Sequence, residues 1–155
     1  MSLPYENATS GDKAIGEMQK ILRSFGCSKF GYMIDDAERS LLVQFEYRSR
    51  PVSVKASMHG YAVAWLKAHP HSNRMQKTKL QHEAQAMEIA SIAVFSILRD
   101  WIKGQISAIE TGVLSFESAF LGQLMLPNGE TVMEMVQAKK LLPSPPNDVN
   151  SKEKA

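Results

Sequence analysis

The chain has 155 residues, 44% apolar and 22% charged, which fits one ordinary globular domain large enough to bury a core. Its single cysteine, Cys27, excludes an intramolecular disulfide framework and suits a reducing compartment, so a cytoplasmic location is expected. The net charge of +2 hides an asymmetry: residues 47–82 hold seven Lys or Arg and no Asp or Glu, leaving −5 on the remainder.

The N-terminal "MSLPYENATSGDK" lacks a basic start followed by an apolar run, and no uncharged apolar stretch reaches bilayer-spanning length. Neither a signal peptide nor a membrane span is expected. In "TSGDKAIGEMQKILRSFG", Ala14, Ile15, Met18, Ile21, Leu22 and Phe25 recur at helical spacing. Thr9 and Asp12 have capping-box spacing, and Gly26 supplies a left-handed stop.

Three strands follow, "KFGYMI", "SLLVQFEYRS" and "PVSVKASM", rich in β-branched and aromatic residues. Leu41, Val43, Phe45 and Tyr47 alternate with Leu42, Gln44, Glu46 and Arg48, and Val52, Val54, Ala56 and Met58 alternate with Ser53, Lys55 and Ser57. One face is therefore core and the other wet. The short linkers "DDAER" and "SRP" favour an antiparallel meander, because a parallel return needs a long crossover.

From Lys79 to Thr111 the pattern is helical, with Gly112 as a stop and a middle apolar on most sides. Such a helix is roughly 50 Å long, more than the width of a small domain. It either breaks near Gly104 or projects with Ile102, Ile106 and Ile109 partly in water. We expect projection and hence a homo-oligomer through the long helix. Ser115 caps a short helix, and "LMLPNGETVMEM" reads as a hairpin turning at Asn128 and Gly129. The fold class is thus α+β: N-terminal helix, three-stranded antiparallel meander, long helix, short helix and C-terminal hairpin. Residues 1–142 form a single globular domain, and 143–155, without apolar periodicity, a disordered tail.

Chemistry motifs are sparse. The chain contains no "GxxxxGK[ST]", "GxGxxG", paired CxxC or "HExxH". No catalytic residues and no cofactor are expected, and the protein is read as a non-enzyme. His59, His69, His71, His82 and Glu83 are metal-ligand types, but Pro70 enforces an extended backbone and no spacing is diagnostic. They are expected to be solvated loop histidines, with no metal site. Asp35, Asp36 and Glu38 fit a turn, and Glu110 and Glu117 fit helix-end partners.

The basic block carries the functional reading. Arg48, Arg50 and Lys55 lie on or beside the polar sheet face, while Lys67, Arg74, Lys77 and Lys79 lie on the following loop and helix start. Joined in one surface, they would suit a nucleic-acid backbone, since cations bound there release condensed counterions. Tyr61 and Trp65 are candidate stacking platforms for unpaired bases. The competing account is structural: "YAVAWL" packs both aromatics onto the core, and the cations are a solvated polar loop.

The succession "GCSKFGYMID", "LLVQFEYRSRPVSV", "IKGQISAIETG" and "SFESAFLGQLMLPNGETV" resembles a group of small uncharacterised proteins encoded by bacteriophages and prophages, over roughly residues 13–136. In that group the third strand leads into a basic segment before the helix. The His-rich "HPHSNRMQKTK" departs from it. The order of elements is also similar, in architecture alone, to phage single-strand annealing proteins. The resemblance implies a phage-type nucleic-acid-binding protein acting on single-stranded DNA, by binding or annealing. The alternative is a small phage protein that binds or inhibits a host or phage protein.

Overall fold

The structure, a computed structural model, describes residues 2–146. Helix α1 spans Gly11–Phe25 and buries Ala14, Ile15, Met18 and Leu22. Its cap is Ser10, whose hydroxyl accepts from the Lys13 amide at 3.1 Å, one residue later than the Thr9 box expected. Gly26 ends it at φ 111°, and the Cys27 amide returns to the Leu22 carbonyl at 3.0 Å.

Strands β1 (Lys29–Asp35), β2 (Ser40–Tyr47) and β3 (Arg50–Ser57) form the expected antiparallel meander in the order β1-β2-β3. Leu41, Val43, Phe45, Val52 and Val54 are buried on one face, as the alternation requires. The third strand stops earlier than expected: Ser57 caps a helix, α2 (Met58–Ala68), by accepting from the Gly60 amide at 2.9 Å. The sequence around "YAVAWL" is apolar on too many sides to announce this helix by period.

Helix α3 runs unbroken over Lys79–Glu110, with a complete Thr78/Gln81 capping box. It does not break at Gly104, nor does it project. Ile102 and Ile106 are 0% and 3% exposed, and Ile109 packs partly buried against the same core. The chain folds back under them. Helix α4 (Phe116–Phe120), capped by Ser115, puts Phe120 edge-on to Trp101 at 5.7 Å and to Phe45 at 5.3 Å. Ile102 and Ile106, on which the expected self-association through the distal half of α3 rested, are therefore buried in this chain's own core, with Ile109 partly so.

Beyond α4 the chain crosses the β3 edge, where Leu124 bridges Val52. The turn at Asn128 and Gly129 forms, and Met125 bridges Thr131. The hairpin is that one bridge long, because Thr131 and Glu134 make a capping box that starts helix α5 (Val132–Ala138). Residues 143–146 have no regular structure, and the rest of the expected tail, 147–155, lies outside the described residues. No described helix is long and apolar enough to cross a membrane.

Candidate nucleic-acid interface

Helices α2 and α3 set the geometry of the basic segment. They pack together as an antiparallel pair: Trp65 in the last turns of α2 meets His82 in the first turn of α3, ring centres 5.1 Å apart. The loop 69–78 between them is pinned from inside by imidazoles. His82, 2% exposed, donates from Nε2 to the His69 carbonyl at 2.5 Å. His71 Nε2 donates to the Lys77 carbonyl at 2.9 Å. His69 lies over Trp65 at 4.6 Å and reaches the Glu6 carboxylate at 2.9 Å.

Contrary to expectation His82 is buried, and His69 and His71 are only partly exposed with their rings engaged, whereas His59 is exposed as expected. Carbonyl and carboxylate oxygens can only accept here, so in the first three each Nε2 is the donor and is spent on holding the loop. No group of three metal-ligand side chains comes together among the described residues. His59, at the exposed start of α2, is about a helix length away from the other three.

The N-terminal segment completes the clamp, and nothing in the sequence pattern pointed to it. Tyr61 Oη donates to the Pro4 carbonyl at 2.7 Å, Tyr5 Oη donates to Asp100 at 2.6 Å, and the Leu3 amide donates to Glu6 at 2.8 Å. The Leu3 amide, then His69, hold the Glu6 carboxyl below its ordinary range. Irregular N-terminal residues carry no period to read.

This packing removes both proposed stacking platforms. Trp65 is 6% exposed, and Tyr61 is half-buried with its hydroxyl engaged. Burial raises the Tyr61 phenol above its ordinary range, with the Glu6 charge adding to the effect. Trp65 is a core residue, and Tyr61 packs partly buried against the core.

The seven cations also separate. Tyr47 packs on Phe116, just beyond the C-terminal end of α3, with ring centres 4.9 Å apart, whereas Lys79 opens the same helix. Thirty-two residues at about 1.5 Å each place the two ends ~48 Å apart. One continuous basic surface does not form.

At the β2–β3 tip, Arg48 lies over the Tyr47 ring at 5.2 Å and Arg50 pairs with Glu117 at 3.3 Å. Lys55, towards the opposite end of β3, pairs with Glu38 at 2.5 Å, and that hydrogen bond raises its pKa. Arg50 and Lys55 therefore have local counter-ions.

Lys67, Arg74, Lys77 and Lys79 gather at the α2–α3 end instead. Lys67, Arg74 and Lys79 are exposed, and Lys77 is partly buried with its ammonium donating to Gln85. Among the described residues, none of the four makes an ion pair. The first turn of α3 contains no acid, so its positive macrodipole end adds to the cations. Exposed Leu80 and Met75 lie beside them, at 76% and 38%. Comparison of the chain with protein-family models, curated proteins and solved structures finds no match.

Proposed function

We propose that the protein binds nucleic acid, as a phage-type accessory protein without catalytic activity, through the α2–α3 end. The observation that carries this reading is the grouping of Lys67, Arg74, Lys77 and Lys79 around the N-terminus of α3 with no acid in its first turn. Cations without an ion-pair partner at the positive end of a long helix repel one another and the helix dipole, and a polyanion relieves both. With Trp65 and Tyr61 engaged in the core, recognition falls to the phosphate backbone, which favours affinity over sequence selectivity.

Fluorescence anisotropy with single- and double-stranded DNA and RNA at two salt concentrations tests the reading. Replacing Arg74, Lys77 and Lys79 together by Ala should weaken binding in a folded protein. For a single strand the log-affinity versus log-salt slope should flatten by about 2, at roughly 0.7 per contact. An unchanged slope in the folded variant removes this surface.

Leu80 and Met75 beside the cations favour a second reading, an acidic amphipathic segment of a host or phage protein. Leu80→Ser distinguishes the two: it leaves phosphate contacts intact but removes an apolar anchor.

A further inference from the structure

The two edges of the sheet differ in their protection. At β3 the Pro51 carbonyl accepts from the Met125 amide at 2.9 Å, Pro51 has no N–H, and Val52 bridges Leu124. At β1 no segment among the described residues pairs with the outer side. Tyr32, Met33 and Ile34 stand 49%, 64% and 46% exposed. Residues 30–34 contain no charge and no proline, and their register with β2 is unbroken by a bulge. Those are the devices that ordinarily blunt an edge.

The turn between β2 and β3 fixes which backbone groups of β1 face outward. It has two residues, Arg48 and Ser49, at φ 46° and 63°, and closes on the pair Tyr47 and Arg50. A two-residue turn of this kind closes on a hydrogen-bonded pair, so Tyr47, Phe45, Val43 and Leu41 bond towards β3. Glu46, Gln44, Leu42 and Ser40 consequently bond towards β1, onto Lys29, Gly31, Met33 and Asp35. The N–H and C=O groups of Phe30, Tyr32 and Ile34 are left pointing away from the sheet.

We propose that β1 pairs antiparallel with β1 of a second copy of this chain about a two-fold axis at Tyr32, joining two three-stranded sheets into one. Residues 30, 32 and 34 meet their own kind, which satisfies backbone parity and gives about six new ladder bonds. Lys29, whose exposed ammonium pairs with Glu46 at 3.2 Å in its own chain, falls opposite Asp35 of the second copy and would then lie between two carboxylates, and the symmetry repeats the arrangement. Sliding the register by two residues keeps parity but sets Lys29 against Met33 or beyond the strand end, so charge selects the Tyr32-centred register.

Side chains agree with that choice. On the helix-covered face Tyr32, already edge-on to Phe95 at 6.2 Å, meets its own copy, and Ile34 meets Phe30 of the second copy. On the opposite face Met33 lies over Gly31 of the second copy, where a Cβ would find nothing within 4 Å in this chain. This junction is independent of the nucleic-acid reading and uses none of the residues at the α2–α3 end.

Sedimentation of the full chain over micromolar loadings should show a species of twice 17.3 kDa. Tyr32→Pro removes an outward N–H that β2 does not use, and edge strands tolerate proline at such positions; the variant should be a folded monomer. In a Cys27→Ser background, Tyr32→Cys should oxidise to a covalent dimer, since directly opposed hydrogen-bonded residues have Cα atoms about 5.5 Å apart, within disulfide range. A monomeric wild type at all loadings overturns the proposal, including the case in which an extended peptide from another protein occupies the edge. A dimer that survives Tyr32→Pro, or a dimer without the cross-link at 32, also overturns it. If proline unfolds the chain, the cross-link decides.

Discussion

Cys27 illustrates how a local stop signal shapes chemistry at a single residue. Gly26 turns the chain, the Cys27 amide is tied to Leu22, and the thiol is left half-buried beside the end of α1. Burial pushes that thiol up to about 11. A raised pKa leaves little thiolate near neutrality, and the greater intrinsic nucleophilicity of a more basic thiolate recovers only part of the loss. Alkylation of the folded protein at pH 8 should therefore be about tenfold slower, or more, than in denaturant. It should accelerate as pH rises towards 11, the direction required when the thiolate appears only above the raised value. Equal rates in both states would contradict this account. The histidines differ in kind: His69 and His82 are fixed by Glu6 and by a carbonyl across a loop, partners 63 and 13 residues distant in sequence. Residue type alone marked them as possible ligands; only the packing of α2 against α3 shows that their donors are engaged.

At the scale of elements, α3 makes the cleanest test of local propensity against packing. Gly104 is exposed inside an unbroken helix, and an added Cβ there meets nothing within 4 Å. Gly104→Ala should stabilise the protein by about 1 kcal/mol, a rise in Tm of about 2–4 °C in thermal unfolding. No change, or a loss, would mean that the helix bends at this position in solution. Elements with a clear period are legible in the amino-acid sequence: α1 with its glycine stop, the meander with its buried face, and α3 almost to the residue. The misread elements have weak or competing signals. Helix α2 has too little polar face for its period to be seen. The Asn128–Gly129 turn has a hairpin signature, but Thr131 and Glu134 redirect the following residues into α5. Projection of α3 follows from its length alone, whereas Ile102 and Ile106 join one core with α1 and with Phe116 and Phe120, residues whose own helix is only five residues long.

For the whole molecule, composition supplies a sum of charges but the fold decides which of them act together. Seven cations are consecutive in the chain without an intervening acid, yet β3 and α2 carry them from the hairpin tip to the far end of α3. The ~48 Å helix α3 keeps the two groups several Debye lengths apart, each about 8 Å at physiological ionic strength, so they are electrostatically independent. Arg50 is already paired with Glu117, and Arg48 rests on Tyr47. Replacing Arg48 and Arg50 together by Ala should leave affinity for a short single-stranded oligonucleotide within about twofold of wild type, with an unchanged salt slope, because no phosphate contact is lost. The loss of the two tip cations should be nearly neutral for stability as well, since only Arg50 is ion-paired and exposed ion pairs contribute about 0–1 kcal/mol. The same double variant measured on an oligonucleotide long enough to reach both ends is the stricter comparison. A slope flattened there by about 1.4, with none on the short strand, would mean that the polyanion runs the length of α3 and uses both groups. A slope flattened on the short strand would instead move the interface to the hairpin tip and remove the α2–α3 end from it.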